Sequence, residues 1–290
     1  MKAIIITIQL AIFLSISLNA QSMDYLVHSS TGLYYGISEK GGTEGKGTVS
    51  SFDPMSGETT VILDFTGENG AFPSGELFEA QNGLIFGTTE YGGEGNHGVI
   101  FAFNPILEEV VFIISFDESS TGSHPQAGLM EASNGLLYGT CIKGGQSNDG
   151  TVFIFNPYNL ALTGIAHLDG KRSGSMPMGD LIEMDGKLFG FASRGGLNNV
   201  GSIFELNPEN YQISNVFDFE VESIGAYPNG SLEELSNGTI VGACMSGGLH
   251  NNGTIFSFSV ESYKVSKLTD LEFKMMQTSA QLANQRTVNY

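Results

Sequence analysis

The stretch Gly83-Leu-Ile-Phe-Gly-Thr-Thr-Glu-Tyr-Gly-Gly-Glu-Gly-Asn-His-Gly-Val-Ile-Phe-Ala-Phe-Asn-Pro105 contains the motif that decides the fold. The motif opens with Gly, two residues, an aromatic residue and a second Gly, and continues with Gly-Gly, another Gly and an apolar run. It recurs at intervals of 51 or 52 residues, beginning at Gly32, Gly83, Gly135, Gly186 and Gly238. A period of about fifty residues is typical of a repeat architecture with one supersecondary unit per copy.

Each copy predicts four short antiparallel strands. In the second copy the strands are expected at 75–80, 84–89, 99–103 and 110–116. Asn82-Gly83 is a strong hairpin signal between the first two. Pro105 ends the third strand because proline has no amide hydrogen for the sheet.

Four antiparallel strands per unit indicate the blade of a β-propeller, so we predict an all-β fold with five blades. The blades are expected at 24–66, 73–118, 125–170, 177–219 and 228–270. An open solenoid is the alternative. Residues 271–290 carry no repeat motif and are interpreted as a closing strand, a docked tail or the stub of a longer array.

Residues 1–20 have the layout of a secretory signal peptide, with Lys2, an apolar run from Ala3 to Leu18 and a cut after Ala20. The alternative is a membrane anchor, but about 16 apolar residues fall short of the roughly 20 that a span requires. We therefore expect a secreted or cell-surface protein.

The composition is acidic. The chain has 12 Lys+Arg and 31 Asp+Glu, a net charge of −19, which becomes −20 when Lys2 is removed with the signal peptide. Such a surface repels nucleic-acid phosphates and anionic lipids. We expect a monomer without nucleic-acid partners or membrane insertion, and a cation or an extracellular glycan or protein ligand stays open.

The two cysteines, Cys141 and Cys244, occupy one repeat slot that holds Ser38, Thr89 and Ala192 in the other copies. All five residues are small, so the slot indicates a steric constraint. Equivalent points of the third and fifth copies should lie beyond the roughly 7 Å between Cα atoms that a disulfide allows. We expect two buried free thiols.

The quoted motif, with Phe116-Asp117 and a Gly and a Pro before the next unit, resembles the GloVer tandem repeat, also described as the HAF-type extracellular repeat of bacteria. The likeness spans about residues 24–270. The fifth copy departs from it, with Val241 for the aromatic residue and Ser259-Val260 for Asn-Pro. The resemblance implies a surface or secreted location and a repeat β-architecture, with no established activity.

Three recurrent sets are candidate site residues. An acidic set lies near the end of the first strand of each unit, with His28 at the matching position of the first copy: Glu79, Glu131, Glu183 and Glu234. If these carboxylates point into the channel they form a ring for a hard cation such as Ca²⁺. The alternative is that each one flanks a hairpin turn and faces water.

A second set precedes the recurrent proline before the first strand: Phe72, His124, Met176 and Tyr227. The slot is always large but chemically variable, as expected of a rim that stacks on a sugar or grips a peptide. The alternative is a side chain folded over the adjacent blade. A third set ends the fourth strand and is predicted to cap backbone amides: Asp64, Asp117, Asp169 and Asp218.

We find no asymmetric catalytic constellation in the sequence, which favours a binding or surface-interaction module over an enzyme. One alternative is a glycosidase or lyase acting on a polysaccharide at the channel mouth, and another is a purely structural repeat without a ligand. A glycosidase needs two carboxyl groups about 5 to 9.5 Å apart, and the glutamate set supplies them if the ring is narrow. No cofactor is indicated apart from the Ca²⁺ of the ring.

Overall fold

A computed structural model describes residues 23–272. Twenty strands form five antiparallel sheets of four, each a simple up-and-down meander of consecutive strands. The predicted all-β propeller architecture is confirmed. We number the sheets as blades 1 to 5 and call the strands of each blade, in chain order, its inner, second, third and outer strand. The signal peptide predicted at 1–20 lies outside the described residues, as does most of the tail.

The strands of blades 1 and 2 are β1 Asp24–His28, β2 Tyr34–Ser38, β3 Thr48–Phe52, β4 Thr59–Asp64, β5 Ala71–Glu79, β6 Ile85–Tyr91, β7 Val99–Asn104 and β8 Glu109–Ser115. Those of blade 3 are β9 Met130–Glu131, β10 Leu137–Cys141, β11 Thr151–Asn156 and β12 Ala161–His167. Those of blades 4 and 5 are β13 Ile182–Met184, β14 Lys187–Ala192, β15 Ser202–Leu206, β16 Ile213–Asp218, β17 Ala226–Glu234, β18 Ile240–Ser246, β19 Thr254–Ser259 and β20 Lys264–Asp270. Within 23–272 the one helix is the three-residue 3₁₀ turn Glu94–Asn96, and no described helix is long and apolar enough to cross a membrane.

In blades 2 to 5 a glycine in the second strand makes room for an aromatic ring of the third strand. Gly139 pairs with Phe153, and a Cβ atom on Gly139 would lie 2.4 Å from Cζ of that ring. Gly87 and Phe101 stand in the same relation in blade 2. Blade 1 has Ser50 where the other blades have phenylalanine.

Four clusters of buried apolar side chains fill the spaces between consecutive blades, from blades 1 and 2 to blades 4 and 5. Among residues 23–272 no such cluster joins blade 5 to blade 1. The two thiols belong to this packing: Cys141 and Cys244 are buried and free, as predicted. Burial raises the pKa of Cys141, and it raises that of Cys244 to about 12, so both stay protonated at neutral pH.

Blades 1 and 5 are built differently from blades 2 to 4. Ser50, on the face of blade 1 that points away from blade 2, replaces a large aromatic side chain with a small polar one. On the opposite face of blade 5, Val241 and Ile255 are half-buried. Their equivalents in blade 2, Phe86 and Ile100, are 0% exposed. Blades 1 and 5 therefore carry smaller side chains on these two faces than the middle blades do.

Candidate ligand-binding cleft

A central cleft, as expected for a propeller, is lined by β5 and β17, the inner strands of blades 2 and 5, and by the segments that lead into β9 and β13. Two communicating cavities of about 740 Å³ and about 490 Å³ occupy it. We call them the upper and the lower cavity. Their shared lining consists of glycines and uncharged side chains: Gly75, Gln126, Met178, Asn229 and Gly230.

The upper cavity opens at the rim. It is lined by Phe72 and Pro73 of blade 2, and by Glu39 and Glu90 at the ends of two second strands. Gln126 Nε2 donates a hydrogen bond of 2.8 Å to Glu90 Oε1, which fixes both side chains. The mouth therefore combines an aromatic face with amide and carboxylate groups.

The lower cavity carries three carboxylates from three blades, Glu76, Asp180 and Glu233. Gly128 N donates to Asp180 Oδ1 at 2.5 Å, which anchors that carboxylate between blades 3 and 4. Burial, followed by the charges of Asp180 and Glu233, raises the pKa of Glu76. This set was not among the sequence predictions. The position three residues after the recurrent proline holds Glu76, Gly128, Asp180 and Ser231, so it is a signal for Glu76 and Asp180 but not for Glu233.

The predicted rim set has a shared main-chain role. All four residues adopt a left-handed backbone, with φ between 55° and 58°. Each one donates its amide hydrogen to a carbonyl in the preceding blade's loop between second and third strands: Phe72 to Lys46, His124 to His97, Met176 to Asp149 and Tyr227 to Val200, at 2.7 to 2.9 Å. The slot thus joins neighbouring blades through the backbone and leaves the side-chain type free to vary.

The four rim side chains are half-buried and are not brought together at one point. Phe72 lines the upper cavity and packs edge-on against Tyr91, at 5.9 Å between ring centroids. Tyr91 in turn meets the ring of His124 at 4.8 Å. Burial is the main cause that lowers the pKa of His124. Tyr227 instead packs against Arg194, whose guanidinium carbon lies over the tyrosine ring at 5.3 Å from the ring centroid.

Three of the four predicted ring glutamates contact the preceding blade. Glu183 accepts hydrogen bonds from Ser133 N and Ser133 Oγ, both at 2.6 Å. Glu79 does the same for Ser30, and Glu131 accepts from Gln81 N at 2.9 Å. Each of these three carboxylates therefore joins two blades, because it accepts hydrogen bonds from the first hairpin of the blade before it.

Glu234 differs from the other three, because it is exposed and lies within 4.0 Å of the Cβ position of Gly238 in its own hairpin. His28 is exposed and packs on Tyr34. Across 23–272 there is no group of three or more His, Cys, Asp or Glu side chains arranged to hold a metal ion. The structure thus distributes this set over separate hairpins, and Ca²⁺ binding stays a prediction.

We expect Glu183→Ala to destabilise the fold by about 1 to 2 kcal/mol, because two charge-assisted hydrogen bonds at a half-exposed site are lost. Glu234→Ala is the matched control. It removes a carboxylate from the same repeat slot, but one with no hydrogen bond to a preceding hairpin among the described residues. The free energy of unfolding should therefore change by less than about 0.5 kcal/mol. Urea unfolding of both variants measures the difference. Equal effects would mean that the hydrogen bonds of Glu183 to Ser133 do not stabilise the fold.

The strand-end aspartates cap backbone amides, as predicted. Asp64 accepts hydrogen bonds from Thr43 N at 3.0 and 3.2 Å, and Asp218 accepts one from Leu197 N at 2.7 Å. Asp117 and Asp169 cap the following loop instead. Hydrogen bonds from Ser119 and Ser120 lower the pKa of Asp117 to about 2.

Blades, inter-blade contacts and central cleft together define a β-propeller repeat protein. The chain matches the Gloeobacter/Verrucomicrobia repeat over residues 7–178 and 112–289, and it therefore belongs to that family, as the resemblance had implied. No curated protein matches it significantly.

Several solved structures share the fold. The extracellular domain of a hybrid two-component system from B. thetaiotaomicron superposes with a TM-score of 0.56 at 12% identity, over 88% of this chain and 29% of that one. This chain thus spans under a third of that protein's length. TolB from Agrobacterium tumefaciens gives 0.53 at 10% identity, over 87% and 82% of the two chains. A structure of the nidogen/laminin complex gives 0.51 at 12%, over 86% and 80%. At these identities the likeness shows the fold alone.

Proposed function

We propose that this protein is an extracellular binding module that holds a glycan or peptide ligand in the mouth of the central cleft. The observation that carries the proposal is the position of Phe72 on the wall of the upper cavity, among amide and carboxylate groups. About 740 Å³ lies within the range of about 300 to 1,000 Å³ that ligand sites occupy. An aromatic face with a few polar groups suits a sugar ring or a peptide.

The extracellular location is supported by the signal-peptide pattern of residues 1–20. It agrees with the structural similarity to the two-component-system domain from B. thetaiotaomicron, which is itself extracellular. The acidic cleft favours neutral ligands and ligands that bear amino groups over anionic ones.

The test begins by screening the purified protein on an array of oligosaccharides and short peptides of different charge. The strongest binder is then titrated against three proteins, the unmodified chain, Phe72→Ala and Tyr227→Ala. We expect Phe72→Ala to weaken binding about 10- to 100-fold, as loss of an aromatic anchor does. Tyr227→Ala removes an aromatic ring from the same repeat slot on a different blade and should change the affinity less than about threefold.

Thermal melting of both variants separates the two roles of the slot. A Phe72→Ala protein that melts as the unmodified chain does but binds weakly supports the proposal. If Phe72→Ala lowers the melting temperature and leaves the affinity unchanged, the ring only packs over the adjacent blade, and the proposed function is wrong.

A further inference from the structure

The outward face of blade 5 is a sheet surface that the described chain leaves uncovered. Val241, Ala243 and Ile255 point from β18 and β19 toward the position of a following blade, and all three are half-buried. In blades 1 to 4 the residues equivalent to Val241 are buried at 0% exposure: Tyr35, Phe86, Tyr138 and Phe189. Blade 5 thus carries smaller side chains where no neighbour from 23–272 packs.

This face is continuous with the central cleft. Val241, Gly242, Ala243 and Ile255 line the lower cavity, with Glu76 on the opposite side. The cavity is therefore a groove with one aliphatic wall, formed by neighbouring second and third strands. Its other walls carry the carboxylates, which lie on β5, on β17 and in the segment before β13.

The charge of the groove is one-sided. The lower cavity is lined by Glu76, Asp180 and Glu233, and the adjoining upper cavity by Glu39 and Glu90. Among residues 23–272, neither lining includes a lysine, arginine or histidine. A segment that complements this groove has positive charges on the side toward the carboxylates and aliphatic groups on the side toward Val241 and Ile255.

We propose that the uncovered face of blade 5 and the lower cavity form a docking groove for an extended peptide segment in which lysine or arginine alternates with aliphatic residues. Successive side chains of an extended peptide point to opposite sides, so one such segment satisfies both walls. An amino sugar matches the carboxylates but has no branched aliphatic groups for the other wall. This inference rests on the proposed binding function and names a second part of the same cleft.

The probe is a fluorescein-labelled decapeptide of alternating lysine and valine, with a glutamine–valine analogue as its uncharged counterpart. Fluorescence anisotropy measures binding to the full secreted chain. We expect the lysine–valine peptide to bind at least about tenfold more tightly than the glutamine–valine peptide. Equal affinities, or no binding of the lysine–valine peptide at millimolar concentration, would overturn the inference.

Two triple variants separate the groove from general attraction to an acidic protein. The groove variant carries Glu76→Gln, Asp180→Asn and Glu233→Gln. The control carries Glu58→Gln, Glu109→Gln and Glu222→Gln, three exposed carboxylates outside the cavity linings. Both remove three negative charges. We expect the groove variant to weaken binding about tenfold or more and the control less than about twofold.

The aliphatic wall is tested with Ile255→Ser, which should weaken binding by about threefold or more while the circular dichroism spectrum stays that of the unmodified chain. Equal weakening by both triple variants assigns the binding to net charge and overturns the groove. If array ligands depend on Phe72 while the lysine–valine peptide fails to bind, the groove is wrong and the proposed function stands. If neither Phe72→Ala nor the groove variant changes any binding, both are wrong.

Discussion

Ile100→Ala is expected to destabilise the protein by about 3 to 4 kcal/mol, whereas Ile255→Ala should cost about half as much or less. The two isoleucines occupy the same repeat slot. Ile100 is 0% exposed between blades 2 and 3, and Ile255 is half-buried on the outward face of blade 5. Truncation at Ile100 loses apolar burial and leaves a cavity in a closed interface. At Ile255 the side chain is partly hydrated already, so less is lost.

Urea unfolding of both variants provides the measurement, and the melting temperature gives an independent check. For a domain of this size a loss of 1 kcal/mol lowers the melting temperature by about 2 to 4 °C. The pair carries its own control, because the chemical change and the position in the repeat are identical. Equal losses at both positions would mean that the face of blade 5 is covered, which contradicts the described structure.

Gly139→Ala is expected to cost about 3 kcal/mol, although it adds a single methyl group and glycine is a poor strand residue. The new Cβ atom would lie 2.4 and 2.9 Å from two ring carbons of Phe153, and 3.1 Å from Leu129 Cδ2. Phe153 is 1% exposed and packs against Phe116 of the preceding blade, so its ring cannot move away. The strain should appear in full in the free energy of unfolding.

Gly36→Ala is the matched control, because Gly36 pairs with Ser50 where Gly139 pairs with Phe153. Serine places no ring carbon against this position, so Gly36→Ala should cost clearly less than Gly139→Ala. A second check is the double variant Gly139→Ala with Phe153→Leu, which should be more stable than Gly139→Ala alone. If Gly36→Ala is as damaging as Gly139→Ala, the glycines are required for backbone reasons and the ring contact is not the cause.

Local sequence patterns predicted the repeat and its hairpins correctly, because turn chemistry acts within a few residues. The strands expected in the second copy at 84–89 and 99–103 correspond to β6 Ile85–Tyr91 and β7 Val99–Asn104. The first strand was predicted too short, at 75–80, whereas β5 begins at Ala71. The left-handed backbone at Phe72 and a register shift between Ser74 and Phe78 carry the pairing past Pro73. Neither feature has a local signal.

The roles of the charged side chains depended on distances between blades. Glu183 and Glu234 occupy the same repeat slot, yet only Glu183 reaches a hairpin of the preceding blade. Glu76 and Asp180 lie two repeats apart in the chain and meet across the cleft, close enough for one charge to raise the pKa of the other group. The slot of Glu76 and Asp180 holds Gly128 and Ser231 in two other blades, so the search for residue types that recur in one slot missed this set.

The sequence by itself determined the period, the four strands per unit, the buried small-residue slot of Cys141 and the all-β class, because these follow from residue type at short range. The tertiary structure alone decided which faces are covered and which carboxylates face one another. Ile100 and Ile255 are the same residue in the same slot, and Ile100 is buried because blade 3 packs over it. Burial and electrostatics depend on neighbours in space, and within a repeat those neighbours come from the next blade.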